Sequence, residues 1–205
     1  MASVLIDGPK TAPKSFLFAH GAGAPMDTPF MKRVAEGVSA SGFRVIRFEF
    51  PYMQRRRESG KRGAPDPQPV LMKSFHEMID EVGGRSSLVI GGKSMGGRIA
   101  TMVADDAAVL GVVCLGYPFH PPGQPAKTRT RHLEALRTPT LIVQGTRDSF
   151  GLPEDVETYK LSRAIRIEWL DDGDHSFKPR VRSGRTEADN VRAAIALVVD
   201  FMAAR

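Results

Sequence analysis

The 205-residue sequence contains a single cysteine, Cys114. A lone thiol excludes an internal disulfide and a cysteine-pair zinc site. Cys114 sits in the apolar run Gly111-Val-Val-Cys-Leu-Gly116 and reads as a buried structural thiol. No apolar run approaches the roughly 20 residues that a membrane helix needs, so no membrane role is expected. The opening Met1-Ala-Ser-Val-Leu-Ile-Asp7 lacks a basic segment and a long apolar stretch, so it reads as no secretory leader and a cytoplasmic setting is expected. Neither a repeat nor a low-complexity segment is present. No Gly-x-Gly-x-x-Gly occurs, and Gly91-Gly-Lys-Ser94 lacks the earlier glycine of a P-loop, so nucleotide-binding glycine loops are excluded.

What is present suits one domain spanning residues 1–205, with 41% apolar and 25% charged residues. The formal net charge is +6. Much of it lies in Arg55-Arg56-Arg57, Lys61-Arg62 and Lys127-Thr-Arg129-Thr-Arg131, within polar stretches rich in proline and glycine. No zinc-finger or RNP motif accompanies these residues, so they read as solvated loop charge and nucleic acid is not expected as a partner.

Short apolar runs alternate with helical patterns along the chain. Strands are expected at 16–19, 43–50, 87–90, 109–115, 140–143 and 165–170, the last with Ile165, Ile167 and Trp169 on one face. Helices are expected at 29–40, 70–82, 98–108, 153–161 and 187–204, with a short one at 133–136. Residues 52–69 read as a loop. This alternation implies βαβ units, a mainly parallel sheet with helices on both faces, and no inserted lid domain. Sites in such a sheet lie beyond the carboxyl ends of the strands. That rule selects His20 with its glycine neighbours, Ser94, the loop from Tyr117 to His120, Asp148 and His175.

Gly92-Lys93-Ser94-Met95-Gly96 follows one strand and precedes a helix. A serine held out on a tight strand-to-helix turn needs small residues two positions to either side, and Gly92 and Gly96 supply them. A serine hydroxyl becomes a nucleophile only when an imidazole takes its proton. Of the five histidines, His76 and His132 fall inside or beside helical patterns, His20 precedes the glycine loop and His120 lies in a proline-rich loop. His175 follows the last strand and lies after both Ser94 and a candidate acid, the order Ser, Asp, His. The acid is Asp148, which follows a buried strand; Asp171, Asp172 and Asp174 read as turn residues. Oxyanion donors must be backbone amides: Met95 N–H is one, and Ala22 N–H is chosen as the other, with Gly23 possible. His20, Gly21, Gly23, Tyr52, Tyr117 and Phe119 are the candidate pocket residues, with Phe50 beside them. No metal and no organic cofactor is called for.

Four segments carry a resemblance: His20-Gly-Ala-Gly23, Gly92-Lys-Ser-Met-Gly-Gly-Arg98, Gly145-Thr-Arg-Asp148 and Asp172-Gly-Asp-His-Ser-Phe177. Together they resemble small, lidless α/β hydrolases. More narrowly, with Phe50-Pro-Tyr-Met53 and Ala64-Pro-Asp66, they are similar to the group that includes testis-expressed protein 30-like hydrolases and the hydrolase-like domain of a nonspecific-lethal complex subunit. Dienelactone hydrolases share the layout but carry cysteine at the elbow. The resemblance implies the α/β-hydrolase fold and a Ser94–Asp148–His175 triad, and no particular substrate. From the triad chemistry and the lack of a lid, the first expectation is an ester or thioester hydrolase acting on a small acyl substrate. The competing expectation is a binding or scaffold module that keeps the fold and uses its basic loop as the partner surface.

Overall fold

A computed structural model of the protein describes residues 4–61 and 63–205. Met1–Ser3 of the leader reading and Arg62 of the basic run lie outside the described residues.

The strands are β1 (Val4–Asp7), β2 (Ser15–Ala19), β3 (Arg44–Phe48), β4 (Leu88–Lys93), β5 (Gly111–Leu115), β6 (Thr140–Gly145) and β7 (Ile165–Leu170). The helices are α1 (Pro29–Ser39), α2 (Pro51–Ser59), α3 (Gln68–Val82), α4 (Met95–Ala107), α5 (Pro153–Val156) and α6 (Glu187–Ala203). The strands form one seven-stranded sheet in the order β1-β3-β2-β4-β5-β6-β7. Only β1 runs antiparallel, with Ile6 opposite Ile46 of β3. Every other pairing is parallel.

Alternation along the strands builds two cores. Leu17, Ala19, Ile46, Phe48 and Ile90 face one side, where α3 and α4 cover them with Leu71, Phe75, Ile79, Ile99 and Val103. Phe16, Phe18, Val45, Val89 and Val113 face the other, under Val34 and Val38 of α1 and Val191, Ala194 and Val198 of α6. Both faces of the sheet are therefore helix-covered, which explains the continuous apolar runs of its strands. Ile165, Ile167 and Trp169 pack together onto the first core.

The chain reverses direction across the sheet between β2 and β4: from β2 it steps outward to β3, then returns to place β4 on the other side of β2. Such a switch point opens a crevice beyond the strand ends. The two loops that meet there begin at His20 and at Ser94.

The structure corrects several expectations. Residues 52–69 are not a loop throughout, because Pro51–Ser59 is a helix. It shows no apolar periodicity, burying only Tyr52 and Met53, but it starts on Pro51 and stops at Gly60, whose φ is 68°. The helix expected at 153–161 has one turn, Pro153–Val156. The β1 strand has four residues on the sheet edge and gave no periodic signal in the sequence. The elbow segment is also tighter than expected. The strand continues through Gly91 and Gly92 to Lys93, and α4 begins at Met95 rather than Arg98.

Candidate active site

Ser94 occupies the single residue between β4 and α4, with φ 50° and ψ −114°. A side chain at this φ is strained, and such strain persists only where the surroundings impose it. Here they do. A Cβ on Gly92 would stand 2.6 Å from the Ala19 carbonyl oxygen, and one on Gly96 would stand 2.6 Å from both the Ala19 and His20 carbonyl oxygens. The turn is clamped against the end of β2, and the Ser94 N–H donates to Leu115 O of β5 at 3.0 Å.

The structure brings Ser94, His175 and Asp148 together. His175 Nε2 lies 2.8 Å from Ser94 Oγ. On its other side, His175 Nδ1 lies 2.7 Å from Asp148 Oδ2. Asp148 is fully buried. Its Oδ2 also accepts from Gln144 Nε2 at 2.8 Å, and its Oδ1 accepts from the Phe150 N–H at 2.9 Å. Gln144 is itself fixed, because its Oε1 accepts from the Tyr117 N–H at 2.7 Å. The Phe150 ring lies against the imidazole with 4.2 Å between centroids. With Nδ1 donating to the carboxylate, Nε2 presents its lone pair to the hydroxyl. Burial holds His175 below the usual imidazole range, partly opposed by its hydrogen bond to Asp148 and reinforced by the Lys93 charge.

Sequence reasoning missed three residues here. Gln144 holds the acid; its signal was a polar side chain ending a buried strand four positions before Asp148. Phe150 gave no signal. Lys93 donates from Nζ to His175 O at 2.7 Å, bracing the histidine loop. Its ammonium lies 5.9 Å from the Phe30 and Phe177 ring centroids. That desolvation pulls Lys93 down to about 8, against the upward pull of Asp148 and Asp174.

The turn acids bond elsewhere. Asp172 pairs with Arg180 and Arg147, and Asp174 Oδ1 accepts from the Ser176 and Lys178 N–H groups. His120 bonds Asp155, while His132 meets Thr101 and Tyr117; neither contacts Ser94.

A cavity of about 560 Å³ opens over Ser94 and His175. Gly21, Ala22 and Gly23 form one wall, and Phe30, Met31 and Phe150 supply apolar surface. Four candidate pocket residues are elsewhere. His20, Tyr117 and Phe119 are fully buried, as is Phe50, and Tyr52 is nearly so. These side chains pack beneath the site because each has an internal partner. His20 Nε2 accepts from the Phe50 N–H at 3.1 Å and Nδ1 lies 2.6 Å from Gly21 O, so burial keeps the ring neutral. Tyr52 Oη donates to Ala22 O at 2.9 Å, and Tyr117 Oη donates to Arg129 O at 3.0 Å.

Met95 is the first residue of α4, where an N–H has no carbonyl one turn back to bond. Among the described residues, the Ala22 N–H meets no acceptor. Ala22 and Met95 both lie beside Ser94 in a second, adjoining cavity.

The arginine run lies on α2 rather than in a loop, and although Arg55 and Arg57 are solvent-exposed, the run is bonded to the protein. Arg57 donates to the buried carboxylate of Glu49 and to Asp27, Arg56 donates to Gly23 O, and Arg55 pairs with Asp66. The run clamps the Gly21–Gly23 wall. Among the described residues, no three His, Cys, Asp or Glu side chains are grouped to hold a metal ion, and no helix is long and apolar enough to cross a membrane.

Residues 12–203 match the model of the alpha/beta hydrolase domain family. The chain belongs to that family. Its fold is similar to an α/β serine hydrolase homologue from Coxiella burnetii, with TM-score 0.72, 18% identity, and coverage of 96% of this chain and 89% of that one. It is similar to dienelactone hydrolase from Anabaena variabilis, with TM-score 0.73, 21% identity, and coverage of 96% and 88%. A lidless α/β serine hydrolase from Xanthomonas campestris gives TM-score 0.67, 19% identity, and coverage of 94% and 85%. At these identities the likeness is one of fold.

Proposed function

We propose that this chain is one lidless serine hydrolase domain that cleaves a small ester or thioester, with Ser94 as nucleophile, His175 as general base and acid, and Asp148 as its orienting carboxylate. The observation that carries the reading is the unbroken hydrogen-bonded chain from Asp148 through His175 to Ser94 Oγ, ending on a strained turn that faces a cavity. Within the family, the motifs around His20, Ser94 and His175 support a resemblance to the group of testis-expressed protein 30-like hydrolases and the hydrolase-like domain of a nonspecific-lethal complex subunit.

His175 Nε2 takes the Ser94 proton as Oγ attacks the acyl carbon. Charge develops on the carbonyl oxygen, within reach of the Met95 and Ala22 amides. The imidazolium then gives its proton to the departing alcohol or thiol as the bond to the leaving group breaks. Water then attacks the acyl carbon as His175 takes its proton, and the acyl–Oγ bond breaks as His175 returns that proton to Ser94 Oγ, releasing the acid. Asp148 stabilises the imidazolium throughout without taking the proton. No step calls for a metal or an organic cofactor.

The scaffold reading needs a free cationic face at the arginine run. Arg55 and Arg57 are instead engaged by Asp66, Glu49 and Asp27. The test is hydrolysis of short-chain 4-nitrophenyl esters and of the matching acyl thioesters. Turnover by the native protein that disappears in Ser94→Ala supports the reading. Equal rates in the two proteins contradict it.

A further inference from the structure

Two cavities meet at Ser94, and they differ in which catalytic group they contain. The first includes His175. The second, about 370 Å³, includes Ala22, Met95, Arg98, Arg129, Asp66 and Gln68, and His175 is not on its wall. The leaving-group atom must receive its proton from His175 Nε2, so it occupies the first cavity. The acyl chain then runs into the second.

The second cavity contains guanidinium groups that this chain leaves unpaired. Arg98 donates from Nη2 to the Gln68 amide oxygen at 2.9 Å, while its Nε is buried with no partner. Among the described residues, neither Arg98 nor Arg129 lies within ion-pair distance of a carboxylate, unlike the buried Arg47, which pairs with Asp7. Asp66 also faces this cavity: Arg55 pairs with its Oδ1, while its Oδ2 is buried without a partner, so the two guanidiniums outnumber the one carboxylate there. Burial lowers Arg98 from the usual arginine range, and the like charge of Arg129 adds to that effect. A partly buried cation with an unpartnered Nε is unfavourable, and an oxyanion bridging the two forks offsets that cost.

We propose that the second cavity is a subsite for a carboxylate at the far end of the acyl group, so that the preferred substrates are half-esters of short dicarboxylic acids. This rests on Ser94 being the nucleophile. In the step itself, Ser94 Oγ bonds the ester carbon, the bond to the alcohol oxygen breaks, and the Oγ proton passes through His175 to that oxygen. Arg98 and Arg129 hold the remote carboxylate unchanged, and water then releases the dicarboxylate.

The experiment compares 4-methylumbelliferyl hydrogen glutarate with 4-methylumbelliferyl pentanoate, which has the same chain length but no terminal charge. Spontaneous hydrolysis is subtracted. The expected kcat/KM ratio favours the glutarate by about tenfold or more. Arg98→Gln and Arg129→Gln should each lower that ratio by about tenfold. The Arg129 side chain has no internal partner among the described residues, so its variant tests recognition without disturbing the fold. If both esters are hydrolysed with no glutarate preference, or if neither variant changes the ratio, the subsite is overturned and the hydrolase reading survives. If neither ester is hydrolysed, the hydrolase reading fails. Calorimetric titration with glutarate then decides the subsite: binding lost in both variants supports it, and no binding to the native protein overturns it.

Discussion

The two walls of the Ser94 site are held by different forces. On the wall of Ser94, His175 and Asp148, short hydrogen bonds join side chains at the ends of β4, β6 and β7, and the backbone contacts around Gly92 leave no room for a Cβ. On the facing wall, the Gly21–Gly23 loop has little packing of its own. It is held from below by His20 and Tyr52, and from outside by Arg56 and the Arg57–Glu49 pair. In the proposed mechanism the first wall positions the atoms that exchange a proton, and the second has only to keep an amide aimed at the developing oxyanion, for which polar bracing of a loop suffices. Damage to the first wall should therefore cost rate, whereas damage to the second should cost stability and only a modest share of rate.

The largest effect belongs to the first wall. Ser94→Ala should lower kcat by about 10⁶ with the fold intact, as measured by ester hydrolysis alongside circular dichroism. Asp148→Asn should follow with a loss on the order of 10⁴, because the amide favours the wrong imidazole tautomer. On the second wall, Glu49→Leu removes the acceptor of the Met26 N–H and one of the two carboxylate partners of Arg57, leaving Asp27 as the other. It should destabilise the protein by about 2 kcal/mol in urea unfolding, a figure tempered by the half-exposed Arg57. Tyr52→Phe should cost about 1 kcal/mol and reduce kcat only a few-fold. A Tyr52→Phe loss comparable to that of Asp148→Asn would erase the contrast between the walls.

The smallest effect sharpens the first wall's electrostatics. His175 must be neutral to accept a proton, and burial together with the Lys93 charge lowers its affinity for one. The acid limb of kcat/KM should accordingly fall below the ordinary histidine value of 6.5. Lys93→Met removes a neighbouring cation, which makes the imidazolium easier to form. The limb should move to higher pH in a pH–rate profile.

The same contrast explains what could be read in the sequence. Ser94, Asp148 and His175 stand out because each follows a buried apolar strand, and their chain order and flanking glycines are local signals. The parallel sheet with helices on both faces follows from the same alternation of patterns. The second wall gave no such signal. Helix α2 carries Arg55, Arg56 and Arg57 where an amphipathic helix would carry apolar residues, since its role is to form ion pairs rather than to bury a face. Tyr52, Tyr117 and Phe119 resembled pocket aromatics in the sequence. Their hydroxyl partners and packing are long-range, and only the fold shows that they lie under the site. Gln144 was similarly hidden, because its importance depends on Asp148 folding back toward it.

The most direct measurement is covalent labelling with a fluorophosphonate probe, followed by mass spectrometry of the digested protein. The account predicts one adduct, on Ser94, absent in Ser94→Ala and formed far more slowly in His175→Ala. A folded protein that takes up no label, or takes it up at a residue other than Ser94, would contradict it.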